Sequence, residues 1–595
     1  MRRVVLTLGV VAALVAGVPK VVAAPAPATG PGPLPPLPWL HVDHAGGGLP
    51  LIKDDAGRTV LLRGANVNGL QDGYYSPRTH DNGWVKPFWP IDPAAYAPGH
   101  CPTNNHHTSD PPLCEVDANK PASTQSGAYD SRNDFAQMRA LGFNVIRLTL
   151  SWSRLEPTPG RYDPTYLDRI AQVVGWAKQQ HIYVLLDMHQ DNYSRFIDDT
   201  ATVEVPPVLT SVKQSGGHAD GAPPWAILTD GVPGLAPFGT DVFNLQMGAA
   251  FNSFWINRPV AVPQGDAPGT GLQDHYIGAL AALARRFKND STVAGYELMN
   301  EPQSGAFAVP GLFDQAALFP FYQRVVDAIT GTNDGGYRDL GIHDTHHVIF
   351  FEPWAIRNLV DQSLQLNVPF TKYTNLVYAP HQYTHVFTVD STIGPRLPAP
   401  VPIPYPPSYD QALTTAEQEA TQLGAALWIG EFGNGSNDDD TLLRGLTAAQ
   451  DRHLTGSAVW AWKGNCDPGS NVTQCQGTWA TYIGDTREPP AQNLQLKPSR
   501  QQFLARVYPW ATAGTLLRAD YNPDTRSFAM SATADKPVTP GDLTRETVVF
   551  IPSTSTGEVR VFEHARLDRV VRTEDGNRLA YVAPSSGGVY AITVA

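Results

Sequence analysis

Short apolar runs alternate with amphipathic helical stretches over most of the chain. Residues 164–180 carry Leu167, Ile170 and Val174 at helical spacing, and residues 273–288 form a second stretch of this kind. The apolar runs between such stretches are continuous, as in strands that are buried on both faces. Eight runs are predicted to be strands, at residues 64–67, 144–150, 183–188, 294–300, 347–352, 376–380, 427–431 and 458–462. Eight strands, most of them separated by helical stretches, indicate an α/β fold whose parallel sheet closes into a (β/α)8 TIM barrel.

The pattern changes after about residue 511. No long helical stretch follows, and apolar or alternating segments lie between polar turns. Four of these segments are predicted to be strands, at residues 547–551, 558–562, 579–582 and 588–594. We therefore predict a small C-terminal β-sandwich over residues 511–595, after a barrel domain over residues 48–510. A hairpin-like stretch formed by residues 51–53 and 60–64 is expected before the first barrel strand.

The N-terminus has the features of a secretion signal. Two arginines precede an apolar stretch at residues 4–18, and Val-Val-Ala at residues 21–23 fits a cleavage site of small residues. An uncleaved membrane anchor is the alternative, but ~15 apolar residues fall short of the ~20 that span a bilayer. We expect a signal peptide at residues 1–24 and a linker rich in Pro, Ala and Gly at residues 25–47. The protein is accordingly predicted to be secreted or associated with the cell surface.

Charge and aromatic content narrow the range of partners. A net charge of −13 argues against nucleic acid, whose binding needs a basic face. The same charge offers no attraction to anionic membranes, so contact with a membrane surface is expected to be transient. The 13 Trp, 22 Tyr and 22 Phe side chains can stack on sugar rings and acyl chains, or fill the core. The chain is expected to act as a monomer.

Four cysteines lie in two close pairs along the chain. They allow three pairings, and export favours disulfides. The simplest pairing joins sequence neighbours, Cys101 with Cys114 and Cys466 with Cys475. A zinc site is the alternative, but no Cys-x-x-Cys spacing is present. We predict two disulfides and no metal.

Two of the predicted strands end at a glutamate. Tyr-Glu-Leu-Met-Asn-Glu-Pro at residues 296–302 closes strand four at Glu301, and Leu-Trp-Ile-Gly-Glu-Phe-Gly at residues 427–433 closes strand seven at Glu431. Placing a carboxylate at the end of a buried strand costs folding free energy, which suggests that the carboxylate has a functional role. Strands four and seven face each other across a barrel mouth, where a carboxylate pair can cleave a glycosidic bond. A separation of about 5–5.5 Å would indicate retention of the anomeric configuration, and about 6.5–9.5 Å inversion.

Other predicted strand ends also carry polar or aromatic side chains. Arg147 lies within strand two and needs an anionic partner, for which Glu431 is the natural candidate. The ends of strands three, six and eight carry His189, Asp191, His381, Tyr383, Trp460 and Trp462. Each of these residues could be a core residue when taken alone, but their shared location at the strand ends favours a binding or catalytic site. Long insertions at residues 71–133, 200–270 and 385–410 are expected to form the rim of this site.

This ordered set of residues resembles glycoside hydrolase family 5, within the 4/7 retaining superfamily, over roughly residues 48–510. The matching positions are Arg147, His189, Asn300, Glu301, Pro302, His381, Tyr383, Glu431 and Trp462. Segments at residues 153–160, 185–191 and 220–226, with the terminal sandwich, further resemble bacterial endoglycoceramidases. Those enzymes cut the bond between an oligosaccharide and ceramide in glycosphingolipids.

The resemblance implies a double displacement with Glu301 as acid/base and Glu431 as nucleophile, and without a metal or organic cofactor. Trp462 is chosen over Trp460 by its position in the motif, since the pleat of the strand cannot decide between them. The residues implied to bind substrate are Arg147, His189, Asp191, Trp225, Asn300, His381, Tyr383 and Trp462.

Three functions remain open, with a glycolipid or another β-glycoside as the substrate. The first is endoglycoceramidase-like cleavage of the glycan–ceramide bond. The second is hydrolysis on the same fold by an exo-acting glucosylceramidase or β-glucosidase, or by an endo-β-glucanase. The third is a noncatalytic glycan- or lipid-binding protein. The presence of both glutamates together with Asn300 argues against the third, because a binder would not need that pair.

Overall fold

The structure is a computed structural model that describes most of the chain after residue 36. The described residues are 37–70, 132–194, 197, 221–234, 244–364, 367–387, 403–434, 439–465, 479–485 and 492–595. The predicted signal peptide, most of the linker, nearly all of the insertion at 71–133 and all four cysteines lie outside these residues. The two disulfides therefore stay predictions.

The barrel predicted from the hydrophobic pattern is confirmed. Three short strands come first: β1 (Leu40–Asp43), β2 (Leu51–Asp54) and β3 (Arg58–Val60). Eight parallel strands then close a barrel in chain order. They are β4 (Arg63–Leu70), β5 (Val145–Ser151), β6 (Tyr183–His189), β7 (Val293–Glu297), β8 (Val348–Phe351), β9 (Leu376–Tyr378), β10 (Ala426–Phe432) and β11 (Gly456–Val459). Each overlaps one of the eight predicted strands.

Burial on both faces explains why these strands lack a polar alternation. Every residue of β5, β6 and β10 is buried, because side chains of one face fill the barrel and those of the other meet the helices. The helices of the described residues are α1 (Arg132–Ala140), α2 (Trp152–Leu155), α3 (Pro164–Gln179), α4 (Leu245–Trp255), α5 (Leu272–Phe287), α6 (Phe319–Thr330), α7 (Ala355–Val360), α8 (Tyr409–Leu423), α9 (Asp439–Arg452) and α10 (Pro498–Leu504).

Helix α4 lies in the insertion at residues 200–270, for which no helix was predicted. Asn244 caps it, accepting hydrogen bonds from the backbone amides of Gln246 at 2.9 Å and Met247 at 3.2 Å. Met247, Phe251 and Phe254 recur at helical spacing and are buried. The cap and the spacing are both visible in the sequence and would have indicated this helix.

The chain continues after the barrel through a small sheet of β12 (Lys463–Asn465), β13 (Tyr482–Asp485) and β14 (Gln492–Leu496). Eight further strands follow and form the C-terminal domain. They are β15 (Tyr508–Ala513), β16 (Thr515–Asn522), β17 (Ser527–Ala534), β18 (Thr547–Ile551), β19 (Val559–Glu563), β20 (Ala565–Arg572), β21 (Arg578–Pro584) and β22 (Gly588–Val594).

The C-terminal strands form two antiparallel sheets that share one core, as expected of a sandwich. The larger sheet has the order β1-β2-β3-β15-β18-β21-β20, and the smaller one β16-β17-β22-β19. The N-terminal residues thus supply three strands to the larger sheet: β2 and β3 from the hairpin-like stretch, and β1 from the end of the predicted linker. Val60 of β3 lies opposite Ala511 of β15. Buried side chains of both sheets, among them Phe550 and Tyr590, fill the core between them.

The C-terminal domain meets the barrel at the end where the strands begin. The carbonyl oxygen of Gly142, which precedes β5, accepts hydrogen bonds from the Tyr508 hydroxyl at 2.6 Å and from the Trp510 indole at 3.0 Å. Gly142 has φ +90°, and a Cβ there would lie 2.4 Å from the ring of Phe550, so the contact requires glycine. The glutamates at the strand carboxyl ends lie at the opposite end of the barrel. In the part of the chain that is described, no helix is both long and apolar enough to cross a bilayer.

Candidate active site

Arg147 is the centre of the cleft at the carboxyl ends of the strands. It lies on β5 without exposed surface, and its guanidinium is surrounded by acidic and amide oxygens. Its partners are Glu297 at 2.6 Å, Glu431 at 2.7 Å, Asn300 at 2.7 Å, Asn66 at 3.0 Å, Glu352 at 3.1 Å and Asp187 at 3.1 Å. These acidic groups offset the cost of burying the cation and raise the pKa of Arg147 well above its ordinary value.

Both carboxylate oxygens of Glu431 are held in place. The predicted ion pair is present, since Nη1 of Arg147 donates to Oε1 of Glu431 at 2.7 Å. The Tyr383 hydroxyl donates to Oε2 at 2.6 Å. Glu431 lies in β10 and is nearly buried. A carboxylate anchored from two sides presents its remaining lone pairs to the cleft in one fixed orientation.

Glu301 follows β7 on a strained turn that neighbouring backbone and side chains secure. Its φ is +39°, a left-handed conformation that costs a non-glycine residue about 1 kcal/mol or more. Gln190 donates from Nε2 to the carbonyl oxygens of Asn300 at 2.6 Å and Glu301 at 3.0 Å. The backbone amide of Asn300 donates to the carbonyl of Met188 at 3.1 Å. The end of β6 thus holds the end of β7, and the Glu301 side chain remains 27% exposed to the cleft.

His381 connects the two glutamates. Its Nδ1 lies 2.7 Å from Oε1 of Glu301 and 3.4 Å from Oε2 of Glu431. Ligand atoms of the three side chains all lie within 4.8 Å of one another. Two carboxylates from strands on opposite sides of the mouth therefore meet in one cleft, at an oxygen separation nearer the ~5–5.5 Å of a retaining pair than the ~6.5–9.5 Å of an inverting pair.

The carboxylates of the cluster outnumber its cations, and burial shifts several of them toward the protonated form. Burial raises the pKa of Asp187 to about 6, and it also raises the pKa of Glu297 and, strongly, that of Glu352. Burial would raise the pKa of Glu301 as well, but the hydrogen bond with His381 outweighs it and the net direction is downward. The carboxylates around His381 overcome its own burial and raise its pKa well above the usual range.

His189 borders the cleft beside Trp460. Its Nδ1 lies 2.6 Å from Asp187, and its ring stacks on that of Trp460 with centroids 5.4 Å apart and planes at 10°. Within the described part of the chain its buried Nε2 has no hydrogen-bond partner, and the half-exposed Asp191 lies 3.6 Å away. A buried ring nitrogen that faces a cleft without a hydrogen bond is suited to a hydroxyl of a bound sugar.

The structure corrects the choice between the two strand-eight tryptophans. Trp462 is only 2% exposed and packs in the core against Tyr482 and Phe143, so it has no surface to offer a sugar. Trp460 is half-buried and stacks on His189. Burial thus favours Trp460 over Trp462 as the tryptophan at the cleft, and a role for either in substrate binding stays a prediction.

Trp225, like Trp462, is a predicted site residue for which the described part of the chain shows no contact with the glutamates. Its indole donates to the carbonyl of Glu156 at 3.2 Å, and its ring contacts Trp152 and His275. Among the residues that the structure describes, none of its ring or hydrogen-bond contacts reaches the carboxylate pair. It is partly exposed on the loop after β6.

Four buried side chains of this cluster were missed at the level of sequence: Asn66, Asp187, Glu297 and Glu352. A signal existed for Glu352. The run Ile-Phe-Phe ends at Glu352 and is followed by Pro353, which repeats the pattern that drew attention to Glu301. Asp187 and Glu297 lie inside otherwise apolar strands, where a charged residue needs a partner.

Two sets of side chains in the described part of the chain are close enough to suggest a metal site. They are Glu297, Glu352 and His381, and Glu301, His381 and Glu431. In the first set, His381 contacts Glu352 and Arg147 contacts Glu297. In the second set, His381 contacts Glu301 and Arg147 contacts Glu431. These pairings account for the closeness, and the expectation of catalysis without metal stays a prediction.

Family models match both the barrel and the C-terminal domain. The model described as "Cellulase (glycosyl hydrolase family 5)" matches residues 114–466, more than half of the chain. The model described as "Glycoside hydrolase family 5 C-terminal domain" matches residues 506–594. The barrel and the sandwich that follows it thus occur together in known proteins.

Individual relatives extend the comparison. Endoglycoceramidase I of Rhodococcus hoagii is 27% identical over 426 residues, which are 69% of this chain and 70% of the relative. A glucosylceramidase of Rhizopus delemar is 28% identical over 269 residues, 43% of this chain and 35% of the relative. The crystal structure of an endogalactoceramidase aligns with a TM-score of 0.64 and 27% identity, covering 94% of this chain and 100% of that one.

Proposed function

The chain belongs to glycosyl hydrolase family 5, and on this basis we propose that it hydrolyses the bond between the glycan and the ceramide of glycosphingolipids by a double displacement. One observation carries the proposal: Glu301 and Glu431 meet within 4.8 Å in a single cleft. The similarity to an endoglycoceramidase over 69% of the chain supports the lipid-linked substrate.

The first half-reaction uses the two glutamates in different protonation states. Glu431, ionised beside Arg147, attacks the anomeric carbon and forms a glycosyl-enzyme ester. Glu301 donates a proton to the leaving ceramide oxygen as the glycosidic bond breaks. Asn300, whose Oδ1 accepts from Arg147 and whose Nδ2 donates to the carbonyl of Gln190, is fixed beside the bond that breaks.

The second half-reaction reverses the role of Glu301. Its carboxylate removes a proton from water, and the water oxygen attacks the anomeric carbon of the ester, releasing Glu431 and the glycan. Each half-reaction inverts the anomeric centre, so the product has the configuration of the substrate.

Apolar surface near the cleft supports a lipid aglycone. The segment Gly-Ala-Phe-Ala-Val-Pro-Gly-Leu at residues 305–312 begins four residues after Glu301, and Val309 and Leu312 are about half exposed. It lies against α4, whose end carries the exposed Ile256. Phe387 and Trp479 are half-buried and extend an aromatic wall from Tyr383. Each methylene that such surface covers contributes about 0.8 kcal/mol to binding.

Exo-acting hydrolysis of glucosylceramide is the second candidate, favoured by the similarity to the glucosylceramidase of Rhizopus delemar. Chromatography of the products from glucosylceramide, lactosylceramide and a soluble β-glucan separates the two. We expect free ceramide and intact lactose from lactosylceramide. Glucose from glucosylceramide with lactosylceramide left intact would favour the exo reading, and cleavage of the soluble glucan alone would remove ceramide from the proposal.

Proton NMR of the first product is expected to show retention. Because the separation of the two carboxylates is nearer that of a retaining pair than that of an inverting pair, the β-anomer should appear before mutarotation produces the α-anomer. The measurement is a time course begun within the first minutes after addition of enzyme. An α-anomer formed first would exclude Glu431 as the nucleophile.

We place the reaction outside the cell as part of this proposal. The basis is the secretion signal expected at residues 1–24, where two arginines precede an apolar stretch. A tagged chain expressed in a related host and recovered from the medium without residues 1–24 would support this placement.

A further inference from the structure

Glu352 is a buried carboxylate immediately behind His381. It follows β8, has no exposed surface, and its Oε1 lies 3.1 Å from Nε2 of His381. The other ring nitrogen, Nδ1, lies 2.7 Å from Oε1 of Glu301. The imidazole therefore joins a carboxylate that faces the cleft to one that no substrate can reach.

Asn358 fixes the relative positions of these groups. Its Nδ2 donates to Oε2 of Glu352 at 2.9 Å, and its Oδ1 accepts from the backbone amide of His381 at 3.0 Å. Arg147 contacts Oε1 of Glu352 at 3.1 Å from the other side. Both oxygens of Glu352 are thus engaged, and the side chain cannot turn away from His381 without breaking several contacts at once.

The charges around His381 pose a problem for the acid step. Carboxylates surround it: Glu301, Glu352 and Glu431 lie within 3.4 Å of its ring nitrogens, and Asp187 and Glu297 act at longer range, with His189 also nearby. Together they raise the pKa of His381 and leave Glu301 with a lowered pKa. A carboxylate 2.7 Å from a ring nitrogen favours the proton on His381, whereas cleavage requires it on Glu301.

We infer that Glu352 is a positioning residue that makes His381 the proton store for Glu301. When a sugar displaces water from the cleft, protonated His381 beside ionised Glu301 becomes more costly than neutral His381 beside protonated Glu301. The Nδ1 proton then moves across 2.7 Å to Oε1 of Glu301. Nε2 keeps its proton because it lies 3.1 Å from Oε1 of Glu352, whose negative charge Arg147 stabilises from the other side, so His381 becomes neutral with Nδ1 free. Glu301 passes its proton to the leaving oxygen, and the proton later taken from water returns by the same route.

The inference rests on the proposed function, and leaving-group dependence tests it separately. Two β-glycosides of the same cleaved sugar are compared, one with an alkyl alcohol and one with 2,4-dinitrophenolate as the leaving group. The first needs a proton and the second does not. Glu352→Gln keeps the size but presents an amide that can donate to Nε2, which keeps the ring proton on Nδ1 and Glu301 ionised. We expect kcat/KM to fall about 100-fold for the alkyl glycoside and to change by no more than about threefold for the aryl one.

Three further variants make the outcome decisive. Glu301→Gln should show the same selective loss, more strongly. Glu419→Gln is the matched control, because Glu419 is equally buried and pairs with Arg357 at 2.7 Å outside the cleft. It should lower the melting temperature without changing the ratio of the two rates. Glu352→Asp retains a carboxylate and should keep the ratio near that of the unmodified enzyme, which serves as the test if Glu352→Gln does not fold.

Equal losses on both glycosides, or no loss on either, would overturn the role of Glu352. A ratio in Glu352→Asp as low as in Glu301→Gln would also overturn it, because the carboxylate would then be present without effect. If the unmodified enzyme cleaves neither glycoside, the proposed function fails instead, and the two failures are thereby told apart.

Discussion

A Glu431→Gln variant is expected to lose glycosidase activity by roughly 10³-fold or more while remaining folded. The amide cannot form the glycosyl ester, because it lacks the charge and nucleophilicity of the carboxylate. Folding should survive, since Arg147 retains Glu297, Glu352 and Asp187 as partners and the change removes one negative charge from a crowded cluster.

The measurement is kcat/KM on the substrate that the product panel identifies, with a thermal melt of the same preparation. Glu301→Gln should lose about 10²- to 10⁴-fold, as expected for the loss of a general acid–base catalyst. Glu419→Gln, a buried glutamate outside the cleft, should keep its rate per folded molecule. A Glu431→Gln protein with a rate near that of the unmodified enzyme would show that this carboxylate is not the nucleophile.

Arg147→Ala is expected to be both inactive and strongly destabilised. Arg147 is the cation for four buried carboxylates, and its removal leaves them facing one another without compensation. Removing one partner of a buried ion pair costs about 3–5 kcal/mol, and several pairs are lost at once here. Some carboxylates will take up protons instead, which lowers this cost but also removes the charged nucleophile.

Denaturant unfolding and kcat/KM of Arg147→Ala and Arg147→Lys test this expectation. Lysine keeps the charge but cannot reach carboxylates on several sides as the guanidinium does. Arg147→Lys should therefore be more stable than Arg147→Ala and remain severely impaired. An Arg147→Ala protein that is stable and active would show that the ion network contributes neither to folding nor to catalysis.

The features that sequence patterns predicted are those with a local physical cause. A strand buried on both faces must be apolar throughout, so the eight barrel strands were visible as continuous runs. A carboxylate at the end of such a run must be compensated, so Glu301 and Glu431 stood out. The order of strands in a barrel then placed the two across one mouth, and the structure brings them together.

The features that were missed depend on distant parts of the chain or on a choice between equivalent positions. Val60 pairs with Ala511, and nothing near Val60 indicates a partner so far along the chain. Trp460 and Trp462 have the same local pattern, and only the packing of Tyr482 on Trp462 shows which one is in the core. Glu352 ends an apolar run before a proline as Glu301 does, but a mechanism that needs two carboxylates does not call for a third.

The location of the C-terminal domain bears on what it does. Its contacts with the barrel, such as the hydrogen bonds from Tyr508 and Trp510 to the Gly142 carbonyl, lie at the end opposite the glutamates. The domain also binds the N-terminal strands into its own sheet. The domain thus holds both ends of the described chain against the barrel, at the end away from the two glutamates.

Mass spectrometry of a trapped intermediate tests most directly whether the carboxylate pair performs a double displacement. An activated 2-deoxy-2-fluoro β-glycoside of the cleaved sugar should inactivate the enzyme and add one sugar mass, because the fluorine slows hydrolysis of the ester more than its formation. After peptic digestion, the label is predicted on the peptide that contains Glu431, and it should be absent from the Glu431→Gln protein. A label on another residue, or an active enzyme that gives no covalent adduct, would contradict the account.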